Sequence, residues 1–334
     1  MRLPFTLCLV LVLGVGGAAC SADEGPRLVV YNAQHEQLLE EIAPAFEEET
    51  GIEVELRHGS DSELAAQLVQ EGDASPADVF LTENTPAMSA VERAGLFAPL
   101  ESAATEPIPA EHRPESGLWT GFVARSTVLV YNPSLVSEDE LPASILDLAD
   151  PEWQGKVSFS PTGADFQAIV AAVLDLEGED ATRAWLEGLK ANGTVYDGNN
   201  VVLEAVNSGE IATGIEYHYY WYRDQAESGE NSDDSRLHFF GEQDPGAFVS
   251  ISGAGVLENA EHAEEAQQFV AYLTSEEGQQ ALADSYALEY PLNPAVSLDP
   301  PVRPLAELRP PAVAVSDLDG ETVVELLSDA GFVL

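Results

Sequence analysis

The sequence predicts an α/β protein made of two doubly wound βα lobes, joined by a two-strand hinge, with a ligand cleft between the lobes. Three observations support this prediction. Short apolar runs alternate with helical patterns, as in βαβ units. The alternation breaks in Pro- and acid-rich text at 104–116 and then restarts. Two long strand-like stretches, 121–132 and 246–258, are suited to crossing between lobes.

The first lobe begins with three strand–helix pairs. The helical spacing is clearest before Gly51, where four apolar residues share one face: Leu38, Leu39, Ile42 and Phe46. The predicted strands are 27–32, 52–56 and 77–81, and the predicted helices are 36–51, 62–72 and 85–95. Strands separated by helices in this way form a parallel sheet.

The same alternation returns in the second half of the chain. Its predicted strands are 156–160, 194–197 and 211–217, and its predicted helices are 166–178, 180–193, 201–210, 264–275, 276–287 and 321–333. We expect lobes that are discontinuous in sequence. The first takes 27–124 and 250–302. The second takes 125–249 and 303–334, with the terminal helix packed on it.

The charge balance excludes several partners. Of 334 residues, 13 are Lys or Arg and 59 are Asp or Glu, so the formal charge is −46. With no basic stripe to neutralise phosphates, a nucleic-acid partner is disfavoured. Attraction to anionic lipid is disfavoured for the same reason. Because 45% of the residues are apolar, the chain can still build a sizeable core.

The N-terminal segment predicts export. Residues 1–19 contain one basic residue, an apolar run and small residues, which is the layout of a signal peptide. The text before Cys20 resembles a lipobox, and Cys8, the other cysteine, falls in the segment to be removed. We therefore expect Cys20 to be lipidated and 20–26 to form a tether. The protein would be extracytoplasmic and anchored to the membrane. The alternative is an ordinary secreted or periplasmic protein with a chance cysteine.

Four side chains fall just beyond the carboxyl ends of predicted strands, where ligands collect in open α/β sheets. They are His35, Glu83, Tyr219 and Tyr220. Taken singly, each has a plainer interpretation. His35 could be a polar residue at a helix start, Glu83 a solvated acid, and the two tyrosines packed aromatics. Taken together, they form a hard donor set, and phenolates are stabilised best by a trivalent cation. The set points to Fe³⁺, with two coordination positions left for an anion or water. No familiar catalytic signature accompanies it.

The sequence resembles a known family along nearly the whole mature chain. The matching motifs are VYNAQHEQ, SPADVFLTEN, GFVARSTVLVYN, SPTGADFQ, YDGNNVVLEAVNSGEI, YYW, DPGAFVSISGAGVL and EYPLNP. They resemble those of the ferric-ion-binding proteins, the receiving components of bacterial iron ABC importers, which have the type II periplasmic-binding-protein fold. The resemblance implies that the same four residues bind the metal.

The resemblance also implies a synergistic anion, phosphate or carbonate, beside the metal. The residues expected around it are Thr162, Gly163, Ala164, Asp165, Asn199 and the counter-charge Arg125. The loop precedes helical text, and a helix N-terminus offers free N–H groups to an anion. Two residues depart from the family pattern. Asp165 would place a carboxylate near the anion if it pointed inward, and Tyr217 stands where relatives often carry Asn.

These observations predict a monomeric Fe³⁺-binding protein that closes around its cargo and delivers it to an ABC permease without catalysing a reaction. One alternative keeps the fold and binds an organic or phosphonate ligand stacked on the aromatics. A metal-dependent hydrolase is a second alternative. It would need an open coordination position and a nearby general base, and no His–carboxylate dyad is visible in the motifs.

Overall fold

The computed structural model describes residues 25–299, 301–314 and 318–332. Over these residues the chain forms ten strands and eleven α-helices. The strands are β1 Arg27–Asn32, β2 Glu53–His58, β3 Val79–Leu81, β4 Thr120–Tyr131, β5 Val157–Phe159, β6 Thr194–Val195, β7 Thr213–Tyr217, β8 Arg236–His238, β9 Val249–Val256 and β10 Tyr290–Pro291.

The nine predicted helices are present, and two further helices, α4 and α8, were not predicted. They are α1 Glu36–Thr50, α2 Asp61–Glu71, α3 Thr85–Arg93, α4 Ser102–Thr105, α5 Ala164–Glu177, α6 Glu179–Asn192, α7 Asn199–Asn207, α8 His218–Glu227, α9 Ala263–Thr274, α10 Glu276–Ala283 and α11 Gly320–Asp329. Gly51 ends α1 in the left-handed region at φ 74°, a conformation that costs glycine little.

The sheet has the strand order β2-β1-β3-β9-β4-β7-β5-β6, with β8 and β10 paired to β4 off this path. Strand β1 is parallel to β2 and β3, and β5 is parallel to β6 and β7. Strand β9 runs antiparallel to both β3 and β4. The α/β prediction is therefore correct. Every antiparallel pair among the described strands includes β4 or β9, the two long strands that the sequence assigned to the hinge.

Strand β4 connects the two halves of the sheet. Its first part, Thr120–Ser126, pairs with β9, and its second part, Thr127–Tyr131, pairs with β7. All twelve of its residues are buried. We call β2, β1, β3 and β9 the first half of the sheet, and β7, β5 and β6 the second half. The precise lobe boundaries stay a prediction.

Each half of the sheet has its own packed helices. In the first half, α1 and α9 meet through Phe46 and Phe269, whose ring centroids lie 5.0 Å apart. In the second half, α11 packs against α5 and α6. Its Leu326 and Leu327 are buried in the same cluster as Trp185. Burying side chains of this size contributes roughly 1.5–3 kcal/mol each.

Several details differ from the prediction. Strands β8 and β10 were not predicted. Both pair with β4. Residues 218–222 (HYYWY), which follow the predicted strand 211–217, form the start of α8. The signal peptide, Cys20 and most of the tether lie outside the described residues. Across the described residues, no helix combines the length and apolar character needed to cross a bilayer.

Candidate metal centre

The four predicted metal ligands meet at one edge of the sheet. His35 directly precedes α1 and follows β1, and Glu83 follows β3. Tyr219 and Tyr220 lie in the first turn of α8, directly after β7. Strand β1 and strand β3 belong to the first half of the sheet and β7 to the second. The donors therefore come from both sides of β4.

The donor side chains lie next to one another, with His35 beside both Tyr219 and Glu83 and with Tyr219 beside Tyr220. His35 Nε2 is 3.3 Å from the Tyr219 hydroxyl and 3.6 Å from Glu83 Oε1. The rings of Tyr219 and Tyr220 face each other with centroids 4.2 Å apart and an interplanar angle of 31°. One small ion could be reached by all four side chains.

Asp165 points into this group of donors. It lies in the first turn of α5 and is 4% exposed. Its Oδ2 accepts hydrogen bonds from the Tyr220 hydroxyl at 2.9 Å, the Asn199 amide at 2.9 Å and the Tyr219 hydroxyl at 3.4 Å. Its Oδ1 accepts from the Asn84 amide at 3.5 Å. From the sequence, Asp165 could face either the site or another direction. In the structure its carboxylate lies among the donors.

Burial and Asp165 shape the electrostatics of the site. Desolvation, followed by the Asp165 charge, raises the pKa of Tyr219 and of Tyr220 well above 10. The same two causes raise the pKa of Glu83 well above its usual value. Several oxygen donors in one buried volume cannot all be ionised without a cation. The cluster therefore stores protons that a cation would displace.

Hydrogen bonds to the backbone hold Glu83 and its neighbour in place. Asp61 accepts from the backbone N–H groups of Glu83 at 2.8 Å and Asn84 at 2.9 Å. Arg125 Nη1 donates to the Glu83 carbonyl, and its Nη2 donates to Ser252 Oγ at 2.7 Å. The backbone N–H groups of Glu83 and Asn84 and the carbonyl of Glu83 are thus all hydrogen-bonded to buried side chains.

Arg125 is fully buried in β4, which rules out the plainer interpretation of a surface ion pair. Its Nε lies 2.9 Å from Glu289 Oε2, so all three of its nitrogens have partners in the first half of the sheet. None of these contacts reaches the loop that contains Gly163. Its role as an anion counter-charge stays a prediction.

The residues expected around an anion are only partly brought together. Asn199 begins α7 and contacts Asp165. Thr162 and Gly163 directly precede α5, and Ala164 is its first residue. Their backbone is therefore at a helix start, as predicted. Tyr217 donates to the Asp165 carbonyl at 3.3 Å and to Asn84 Oδ1 at 3.4 Å, which links β7 to the loop after β3.

Sequence reasoning missed three polar residues that surround the site: Asp61, Asn84 and Glu289. Each is at most 9% exposed. Glu289 stands in the quoted text EYPLNP, yet nothing local marks it as different from the chain's other acids. Within the described part of the chain, no three His, Cys, Asp or Glu side chains are arranged as a metal site.

The polar cluster lies at the carboxyl edge of the α/β sheet, the place where open α/β sheets bind their ligands. Residues 74–312 match the family model of bacterial extracellular solute-binding proteins, and the chain belongs to that family. It is 50% identical over 321 residues to an Fe(3+)-binding periplasmic protein of Serratia marcescens, covering 96% of this chain and 94% of that one.

Solved structures agree with this membership. Iron-bound HitA from Pseudomonas aeruginosa superposes with a TM-score of 0.87 at 44% identity, over 92% of this chain and all of that chain. The Trichodesmium protein IdiA (FutA), in complex with iron and citrate, superposes with a TM-score of 0.80 at 26% identity, with 92% and 100% coverage. The predicted type II periplasmic-binding-protein fold and the resemblance to ferric-binding proteins are confirmed. The protein is an extracytoplasmic binding protein and not an enzyme.

Proposed function

We propose that this protein binds Fe³⁺ and delivers it to the permease of an ABC importer. The observation that carries the proposal is the convergence of two adjacent tyrosines, His35 and Glu83 at one edge of the sheet, with His35 Nε2 between the Tyr219 hydroxyl and Glu83. The similarity to proteins named for ferric iron supports the same cargo.

The donor chemistry selects a ferric ion. Phenolate and carboxylate oxygens are hard ligands that suit a small, highly charged cation. The two tyrosines and Glu83 would supply three negative charges to balance Fe³⁺. Zn²⁺ draws mainly on Cys and His, and Ca²⁺ on more carboxylates and carbonyls. The raised pKa values of the tyrosines mean that only a strongly polarising cation would bind them as phenolates near neutral pH.

Asp165 is the most suitable fifth donor. Its Oδ2 already lies within hydrogen-bonding distance of both tyrosine hydroxyls. An added phosphate or carbonate at the same place would meet a like charge, which disfavours it. We therefore propose that the Asp165 carboxylate takes over part of the role expected of a synergistic anion. Water or a small anion near Gly163 and Asn199 would complete the coordination.

Binding would also close the cleft. His35 and Glu83 belong to the first half of the sheet, and both tyrosines belong to the second. An ion bound by all four bridges the halves across β4 and favours the closed arrangement by its differential affinity. Release to the permease then requires the halves to separate, which removes two or more ligands together.

The test is a ferric titration of the purified protein followed by visible absorption. One equivalent of Fe³⁺ should produce a red-orange phenolate charge-transfer band. Tyr219→Phe and Tyr220→Phe should each weaken or shift the band, and the double variant should abolish it. Tyr222→Phe, in the same helix, is the matched control and should keep the band. A double variant with an unchanged band would refute the assignment. An organic ligand with no metal would support the alternative cargo.

A further inference from the structure

Behind His35 lies a buried carboxylate that the proposed cargo would not touch. Glu289 is fully buried, and its Oε1 is 3.1 Å from His35 Nδ1. The opposite ring nitrogen, Nε2, faces Tyr219 and Glu83. The imidazole therefore has one nitrogen toward the donor cluster and the other toward Glu289.

Glu289 is itself held in place from two directions. Its Oε2 lies 2.9 Å from Arg125 Nε and accepts a 3.4 Å hydrogen bond from the Gln34 amide. Gln34 also accepts a 2.6 Å hydrogen bond from the His35 backbone N–H through its Oε1. Side chain and backbone of His35 are thus tied to one network.

This network joins the strands that cross the middle of the sheet. Glu289 immediately precedes β10, whose Tyr290 pairs with Ala124 of β4, and Arg125 is the next residue of β4. Ser252 of β9 accepts from both Arg125 and Gln34. Because these segments are fully buried, the carboxylate has little freedom to turn away from His35.

We propose that Glu289 is a positioning residue that keeps His35 protonated on Nδ1 and directs the Nε2 lone pair at the cargo ion, with Arg125 fixing Glu289. The proposal rests on the proposed function. A histidine that ligates a metal commonly donates its other N–H to a carboxylate, which sets the tautomer and the ring orientation. Here the carboxylate is paired with an arginine, so its position is set before any ion arrives.

The experiment is a double-mutant cycle on ferric affinity, measured by competition with nitrilotriacetate. The four proteins are wild type, Glu289→Gln, His35→Ala and the double variant. Glu289→Gln should weaken binding by about 10–100-fold in the wild-type background. In the His35→Ala background, Glu289→Gln should have little further effect on the affinity, because Glu289 acts by orienting the His35 imidazole.

The matched control is Glu216→Gln, the same change at another buried glutamate, whose carboxyl oxygens have no hydrogen-bond partner within the described residues. It should leave the affinity near that of wild type. An equal loss on Glu289→Gln with and without His35 would overturn the proposal, because it would indicate a general charge effect. A Glu289→Gln protein with wild-type affinity would overturn it as well.

A second measurement does not depend on folding of the variants. In wild-type protein loaded with diamagnetic Ga³⁺, ¹⁵N spectra of labelled histidine should show a proton on Nδ1 of His35 and none on Nε2. A proton on Nε2 would overturn the proposal while leaving metal binding intact. A wild-type protein that binds no ferric ion at all would overturn the proposed function itself.

Discussion

The hydroxyl of Tyr220 donates a 2.9 Å hydrogen bond to Oδ2 of Asp165. This contact joins the first turn of α8 to the first turn of α5 and places a carboxylate against the candidate ligands. In a cluster of acidic and phenolic groups, such a bond holds a proton that a metal ion would have to displace.

The first prediction separates two roles for Asp165. If its carboxylate is a ligand, Asp165→Asn should weaken ferric binding at least about tenfold, or about 1.4 kcal/mol. The remaining binding should then depend on added phosphate or carbonate. If Asp165 only repels a separate anion, the same substitution should strengthen anion-dependent binding and slow iron release in acid. Competition titrations with and without each anion distinguish the two by sign.

The control for that experiment is Asn199→Ala, which removes one donor to Oδ2 and leaves the carboxylate in place. We expect it to have a smaller effect than Asp165→Asn. Superimposable titrations of Asp165→Asn and wild type under both conditions would show that Asp165 acts in neither role.

The second prediction concerns pH. In the metal-free protein, burial and then the Asp165 charge raise the pKa of both tyrosines well above 10, so both phenols carry protons at neutral pH. The metal-bound state holds fewer protons, so affinity rises with pH and is lost as pH falls. The logarithm of the affinity should rise by at least about two per pH unit near neutrality. Each phenol contributes about one, and Glu83, whose pKa is also raised, adds to the slope.

Competition titrations measure this slope between pH 6 and pH 8, roughly the range where histidine also titrates. The affinities are corrected for the protons that the chelator takes up. Tyr220→Phe should reduce it by about one. A wild-type affinity that does not change with pH would contradict phenolate ligation.

The third prediction concerns stability of the metal-free protein. Burial alone would raise the pKa of Glu289, but the Arg125 charge and the contact with His35 outweigh it and lower the pKa to about 2. Since this folded-state pKa lies below the unfolded value of about 4.3, the ion pair stabilises the fold above pH 5 or so. That stabilisation is lost as pH falls toward 2.

Urea unfolding should therefore show a steeper loss of stability in acid for wild type than for Glu289→Gln. Arg125→Ala should cost about 3–5 kcal/mol near neutral pH, because it leaves a buried carboxylate without its partner. An Arg125→Ala protein as stable as wild type would refute the account of this pair.

The fourth prediction concerns the anchor. If Cys20 is lipidated, the full-length protein expressed in a bacterium should partition into the detergent phase of a phase-separating surfactant. Cys20→Ser should move it to the aqueous phase or the medium, and Cys8→Ser should not. Wild type found wholly in the aqueous phase would reject lipidation.

The meeting of His35, Glu83, Tyr219 and Tyr220 at one edge of the sheet could be predicted because each of these residues follows a strand that is visible in the local sequence. His35 and Glu83 each follow a short apolar run, and a strand that ends in polar text presents the next side chains at the sheet edge. Tyr219 and Tyr220 could be placed at the sheet edge for the same reason, because they follow the predicted strand 211–217. In the structure they lie in the first turn of α8. Hydrophobic periodicity fixed α1 to within one residue of its end at Thr50.

The surroundings of the ligands could not be predicted in that way. Glu289 contacts His35 only because β10 pairs with β4 and brings a distant segment behind the first strand. The direction of Asp165 was likewise undetermined, since a residue in the first turn of a helix can face solvent or the cleft. Nothing in SPTGADFQ distinguishes these outcomes.

The sequence by itself determined the net charge, the fold class, the two long central strands and the placement of four donors at strand ends. Charge is a sum over residues, and the other three depend on patterns within short stretches of chain. The tertiary structure alone decided which polar groups are buried together. In it, Asp165 accepts a hydrogen bond from Tyr220, and Arg125 is buried and paired with Glu289. The physical reason is that a buried charge must find its partner across the fold, and that partner is chosen by packing and not by chain proximity.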